Sequence, residues 1–385
     1  MGANLKHPGH TTAAPRSRPL TDHSVNVQPR RLASDLGGTG GGWSSLVSVS
    51  AEGHQVSSDG EPRDVPARLV LSIAVGLITA WFALKLAVRP NVHTDFEVLW
   101  TAARHWANGR DPYTMRPGSP AWKFEDPLFY PLPALVLLWP LHWISRGAAT
   151  AVFVAIPAAL LAWRLTRHAL WPLLGLASPS FVMAVVLGQW TPWLVLAMLW
   201  PVLGFFFASK PTLGLACFVG RPTVAGLIGG VTITLLSLAL WPAWPLLWLH
   251  NLPAVVEHPS PITAPFGVLL GLAVLRWRRP EGRLLLAMAC VPQLLLFADQ
   301  MPLMLIARSR LEAALLTMGA WTAAAFWFVQ EADKFGAVSF AAPYALAGCY
   351  LPALWIVLRQ PNEGAIPEWL ERRIVGWPSW LRGTA

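Results

Sequence analysis

Asp95 stands where the apolar blocks of this chain first open into a polar stretch, Asn91-Val92-His93-Thr94-Asp95-Phe96-Glu97, which continues through Trp106, Gly109, Asp111, Pro112 and Tyr113. Thr94 and Glu97 have capping-box spacing, which predicts a helix start with Asp95 in its first turn. Phe96, Leu99, Trp100, Ala103 and Trp106 recur at helical spacing, so one face of this short helix can lie on an apolar bundle at the membrane surface. Gly109 can stop the helix, and Asp111-Pro112 then favours a turn. Asp95 shares an approximate face with Leu99 and Ala103, which turns it toward the bundle. A carboxylate placed there can take a proton from a hydroxyl nucleophile. It can equally be a first-turn acid that the helix terminus favours without any chemistry.

Further polar groups interrupt apolar runs. The same loop ends in Glu125-Asp126-Pro127-Leu128-Phe129-Tyr130-Pro131-Leu132-Pro133. Glu125 and Asp126 can bind a sugar or simply keep the loop wet, while Tyr130 sits where an interfacial aromatic is expected. Gln189, in Gly188-Gln189-Trp190, can satisfy a neighbouring carbonyl or orient a sugar hydroxyl. Lys210, in Ser209-Lys210-Pro211, precedes a helix restart whose free N–H groups suit a phosphate beside an ammonium; a snorkelling anchor lysine is the competing view. Asp299 must be neutralised, paired or exposed to a cavity, and Arg308 and Arg310 are the cations nearest to it in the chain on its C-terminal side.

Other chemistries find no support. His93 and His105 lack zinc-ligand spacing, and Cys217, Cys290 and Cys349 read as small apolar fillers. No phosphate-cradling glycine loop or serine-hydrolase elbow occurs, which argues against a nucleotide-driven pump. The net charge of +9 is not accompanied by a nucleic-acid motif. Much of it lies in the N-terminal segment, in Arg276–Arg283 and at Arg372 and Arg373, all expected neighbours of anionic lipid headgroups.

The elements that must position these groups follow from composition. Of 385 residues, 54% are hydrophobic and 13% are Asp, Glu, Lys or Arg, about half the charged fraction of a soluble domain. With 22 Trp residues suited to the headgroup belt, this predicts an all-α polytopic membrane protein. Residues 1–64, with Gly and Ser runs and no sustained period, read as a disordered tail. Ala67–Val88 reads as the first transmembrane helix, and the basic flank before it places the tail in the cytoplasm and loop 89–127 outside. Apolar blocks follow at Leu128–Ile144, Ala148–Trp163, Leu170–Leu187, Trp193–Ala208, Thr212–Gly230, Val231–Leu249, Ala264–Trp277, Leu284–Ile306, Leu311–Val329 and Val338–Leu358. They suggest roughly nine to eleven membrane segments across a 65–360 domain, some re-entrant or broken, followed by a polar tail over 361–385. Strict alternation leaves Arg164 and Arg167 outside, against the usual bias, and puts Gln189 on the side opposite Asp95 and Lys210.

The order DFEVLWTAARHWANGRDPY, FEDPLFYPLP, GQW and SKP resembles the bacterial polyprenyl-phosphate-dependent mannosyltransferases of glycosyltransferase family 87, the DUF2029 family, over roughly residues 92–230. The resemblance implies a GT-C-like bacterial cell-membrane enzyme that takes sugar from a lipid phosphate and needs no metal or other cofactor. It implies Asp95 as the base, Lys210 as a contact to the donor phosphate, and Tyr130 and Gln189 as pocket residues; in the chemistry that follows, Lys210 or Arg104 would steady the departing phosphate. Direct attack by an acceptor hydroxyl at the anomeric carbon predicts inversion. The later chain departs from the family's common Ser-Pro and aromatic/His-rich pattern. A transporter for a lipid or amphiphilic solute and a noncatalytic membrane scaffold are the alternatives.

Overall fold

The computed structural model describes residues 65–87, 94–252, 259–331 and 341–364. The expected tail 1–64, residues 88–93 with His93, and residues 365–385 lie outside the described residues. Within them the chain is helical and no strand occurs. The helices are α1 (Val65–Ala87), α2 (Asp95–Ala107), α3 (Leu132–Leu138), α4 (Arg146–Leu165), α5 (Pro179–Leu187), α6 (Thr191–Leu199) and α7 (Pro211–Gly220). They continue as α8 (Val224–Leu240), α9 (Trp244–Asn251), α10 (Pro280–Cys290), α11 (Arg310–Glu331), α12 (Ala342–Ala345) and α13 (Leu351–Leu358). Stretches of 3-10 turns, among them Trp171–Ala177, Pro201–Ser209, Gly267–Arg276 and Ala298–Ile306, join several of them.

Among the described residues, three helices, α1, α4 and α11, are long and apolar enough to cross a membrane. The pair α8–α9 passes the same test together but bends by 102° at its break. Leu69, Val70, Ile73, Leu77 and Trp81 of α1, Leu227, Ile228 and Leu235 of α8, and Met318, Phe328 and Val329 of α11 all stay exposed. Apolar surface on that scale is compatible with a multi-pass membrane protein. The roughly nine to eleven segments expected from hydropathy shrink because prolines divide the apolar blocks. At 1.5 Å per residue, α6, α7 and α10, with 9, 10 and 11 residues, span only about half of a hydrocarbon core.

α1 and α4 form the clearest pair. Arg68 donates to the Trp163 carbonyl at 2.7 Å, while a Cβ on Gly76 would sit 3.0 Å from the Ala159 Cβ. These contacts run the two helices antiparallel, with the absent side chain at Gly76 allowing close approach. The start of α1 and the end of α4 therefore share one end of the molecule. This corrects the alternating topology: the Leu128–Ile144 block folds as seven-residue α3 and a single 3-10 turn, too short to cross. Arg164 and Arg167 return to the end that holds Arg68.

α2 and α3 occupy the opposite end. Phe96, Leu99, Ala102 and Ala103 form the buried face of α2, and the Phe96 ring packs 4.8 Å from that of Phe153 in α4. Burying Phe96 contributes roughly 1.5–3 kcal/mol. The Thr94 side chain accepts from the Glu97 N–H at 3.3 Å, as the cap spacing predicts. Buried Glu97 also joins Lys123 at 2.6 Å and Arg146 at the start of α4, fastening α2 to the bundle.

The Arg276–Arg283 segment corrects a second expectation. Arg278 and Arg279 are buried rather than spread under lipid headgroups. Arg276 donates to the Leu358 carbonyl at 2.8 Å and Arg279 to that of Pro361 at 3.2 Å, so these cations bond carbonyls at and just beyond the end of α13. Cys217 and Cys349 are buried fillers as expected, whereas Cys290 is exposed at the end of α10.

The antiparallel pairing predicts that Gly109, after α2, and His168, after α4, lie on opposite membrane faces. Single cysteines at these positions, in a chain lacking Cys217, Cys290 and Cys349, should react with an impermeant maleimide from opposite sides. Labelling of both from the same side of intact vesicles would contradict the pairing.

Candidate functional site

Three interrupted helices bring polar side chains to one place. α5 ends at Gly188, whose φ of +65° is the left-handed cap conformation that glycine adopts without strain. A Cβ there would lie 2.4 Å from the Phe96 Cβ, so only glycine lets α2 approach this turn. Gln189 follows in the break before α6, and its Nε2 donates to Asp95 Oδ2. Lys210 fills the break before α7, held extended by Pro211 at the first helical position. Asp299 follows a tight turn in which the Ala298 N–H bonds the Leu296 carbonyl at 2.9 Å through Phe297 at φ +65°. That backbone is strained for a bulky residue, and it sits beside the most buried acid of the cluster.

Asp299 is fully buried and richly bonded. Its carboxylate receives Lys210 Nζ at 2.7 and 2.8 Å, the Thr191 hydroxyl at 3.1 Å and the Leu294 N–H at 2.9 Å. Lys210 Nζ also donates to Gln189 Oε1 at 3.2 Å. An ammonium has three donors, and these three acceptor atoms engage all of them. The Tyr130 hydroxyl lies 3.3 Å from Asp95 Oδ2 and 3.5 Å from Gln189 Oε1, so its single proton serves one or the other. A continuous polar chain thus runs from Asp95 through Gln189 and Lys210 to Asp299.

Exposure divides the cluster. Gln189, Thr191 and Asp299 are buried, whereas Asp95 and Tyr130 are half-buried and the Lys210 side chain keeps 16% of its surface. The accessible face therefore presents a carboxylate, a phenol and part of an ammonium. Asp95 and Tyr130 lie outside the three long apolar helices. Burial pushes the Asp95 carboxyl above its usual range, Lys210 pulls it partly back and Asp299 adds to the rise. The Tyr130 phenol is pushed well up by burial and then by Asp95 and Asp299, which keeps it a hydrogen-bond donor.

Asp95, Tyr130, Gln189, Lys210 and Asp299, each read from the sequence as a candidate, meet here. One expectation is corrected, and one open partner is identified. Gln189 touches Asp95 because the apolar blocks before it do not all cross. Asp299 pairs with Lys210 rather than with Arg308 or Arg310, since the nine residues Ala298–Ile306 carry the chain about 18 Å away at the 3-10 rise. Arg104 is exposed and stacks 4.7 Å over Trp100, about 13 Å along the α2 axis from Asp95. Glu125 and Asp126 are exposed as well; the Asp126 contribution is its backbone carbonyl, which accepts from Trp122 Nε1 at 2.8 Å.

Several positioning residues were missed from sequence. Trp248 bonds the Phe129 carbonyl at 2.7 Å, Asn251 that of Leu128 at 3.3 Å, and the Tyr113 hydroxyl that of Tyr130 at 3.0 Å, so α9 and the loop fix the Tyr130 backbone. Asn251, at the end of the apolar run of α9, was a signal available to hydropathy. Thr191 carried none beyond adjacency to Gln189. Among the described residues no three His, Cys, Asp or Glu side chains gather as a metal-binding group.

Replacing Lys210 by Met should strand the Asp299 charge and lower stability by about 3–5 kcal/mol. The double replacement Lys210→Met with Asp299→Leu should recover much of that loss. Thermal unfolding of the purified proteins checks both; a Lys210→Met protein as stable as the parent would dismiss the pair as the organiser of the cluster.

Comparison with known protein families, curated proteins and solved structures finds no match to this chain.

Proposed function

We propose that this chain is an inverting membrane glycosyltransferase, passing a mannose-like sugar from a polyprenyl-phosphate donor to a lipid or glycan acceptor. The observation that carries the proposal is Asp95: a half-buried carboxylate, oriented by Gln189 and Tyr130, at one end of a helix pair long enough to cross a bilayer. The resemblance of the segments around Asp95, Tyr130, Gln189 and Lys210 to family 87 supplies the reaction class. By the positive-inside rule the Arg68 end is cytoplasmic, which places Asp95 outside.

In the reaction, the acceptor hydroxyl oxygen forms a bond to the anomeric carbon as that carbon's bond to the phosphate oxygen breaks. Asp95 takes the hydroxyl proton, and the electron pair leaves with the polyprenyl phosphate. Tyr130 and Gln189 hold the base, leaving one carboxylate oxygen to face the acceptor. Lys210 acts first by neutralising Asp299. Its bond to Gln189, the longest of the three, is the one a phosphate oxygen can exchange for. Arg104 stands too far along α2 to contribute to that contact.

A transporter is the second reading, favoured by the α5–α6 break, whose Gln189 joins the polar cluster, and by the sharply bent α8–α9 pair. Transport would move the lipid intact, without a new glycosidic bond.

Asp95→Asn should lower the initial transfer rate from polyprenyl-phosphate mannose by roughly 10²- to 10⁴-fold while the folded yield holds, because Asn keeps the shape but cannot act as the base. The base works only when ionised, and its carboxyl is raised. Activity should therefore be present at high pH and lost as pH falls through a midpoint above the ordinary carboxylate value. A well-folded Asp95→Asn protein with parental turnover would remove Asp95 as the base.

A further inference from the structure

The end of the molecule opposite Asp95 gathers four arginines from three elements. Arg68 comes from the first turn of α1, Arg164 from the end of α4, Arg167 from the turn after it, and Arg221 from the residue that ends α7. Arg164 lies within repulsive reach of the other three. Among the described residues no carboxylate forms an ion pair with any of them. Like charges brought together without an acid cost stability unless an anion joins them.

The geometry is that of a prepared cradle. Arg68 is held in place by the Trp163 carbonyl at 2.7 Å and the Thr166 hydroxyl at 3.5 Å, and its guanidinium stacks 4.2 Å over the Trp163 ring. Arg164 Nε is enclosed by protein and has no hydrogen-bond partner among the described residues. Arg167 is exposed and Arg221 half-buried, and neither guanidinium bonds another described residue. Rigid planar donors of this kind match phosphate oxygens in pairs. A snorkelling arginine would instead turn its head freely to water, which the enclosed Nε and the stacked Arg68 do not do.

We infer that Arg68, Arg164, Arg167 and Arg221 form a binding site for a phosphate-bearing anion, at the opposite end of the α1–α4 pair from Asp95. An anionic phospholipid headgroup and a soluble phosphate share the required chemistry. This site is independent of the transfer reaction. Asp59, Glu61 and Asp64 precede α1 in the chain and are rival counter-charges, so the test uses the full chain.

The purified protein in neutral detergent is titrated with dioleoyl phosphatidylglycerol or dioleoyl phosphatidylcholine, and bound lipid is counted by native mass spectrometry. A parallel arm measures the thermal midpoint with and without inorganic pyrophosphate. The variants are R167Q/R221Q, whose positions are at the edge of the fold, and R308Q as a control at an arginine outside this group of four. Phosphatidylglycerol should bind at least about tenfold more tightly than phosphatidylcholine, with the preference lost in R167Q/R221Q and kept in R308Q. Pyrophosphate stabilisation of the parent that R167Q/R221Q lacks would support the same site with a soluble occupant. The site is refuted if neither ligand distinguishes the parent from R167Q/R221Q, or if R308Q loses the preference equally.

Discussion

An ionised carboxylate buried among apolar helices must find a cation or give up its charge, and Asp299 meets that demand with Lys210 at 2.7 Å. The rest of the site follows from keeping these two together. Lys210 reaches Asp299 only because Pro211 breaks the chain ahead of α7, and Asp299 is presented by the strained turn at Phe297. The third ammonium donor then fixes Gln189, which fixes Asp95. A pair of this kind adds little net stability compared with apolar packing, but removing one member is costly. Its value to the fold is geometric, because it specifies one arrangement for three helix breaks that would otherwise close on themselves.

The long apolar helices were the most legible part of the sequence, because length and hydropathy alone define α1, α4 and α11. Thr94 and Glu97 also read correctly as the start of α2, since capping is local. The segment count failed for a physical reason. Hydropathy measures apolar length, while Pro140, Pro172, Pro201 and Pro302 determine how the backbone uses it, and short helices with 3-10 turns fold back instead of crossing. The error carried into Gln189, whose side assignment depended on every segment before it. Asp299 could be recognised as needing a partner, but choosing Lys210, 89 positions away, required tertiary structure.

Charge is distributed in keeping with two distinct ends. One end of the α1–α4 pair carries Arg68, Arg164, Arg167 and Arg221 without paired acids among the described residues. At the other, Glu97 is held between Lys123 and Arg146, and Asp95 is tied into its mixed cluster. The 23 residues of α1 separate these ends by about 34 Å, the thickness of a bilayer core with little to spare. Such an arrangement lets the two faces differ in chemistry, with anion contact at one and a protected carboxylate at the other. Arg276 and Arg279 bond carbonyls at and just beyond the C-terminal end of α13, and Arg278 gives its backbone N–H to Asn362 Oδ1.

The central claim is that Asp95 promotes direct displacement at an anomeric carbon. The most direct measurement is the anomeric configuration of the product formed by the purified protein in proteoliposomes supplied with polyprenyl-phosphate mannose and a lipid acceptor, read by nuclear magnetic resonance. One-step displacement predicts a new glycosidic bond whose configuration is opposite to that of the donor. Retention of configuration, or donor recovered intact in the opposite leaflet with no new bond, would contradict it.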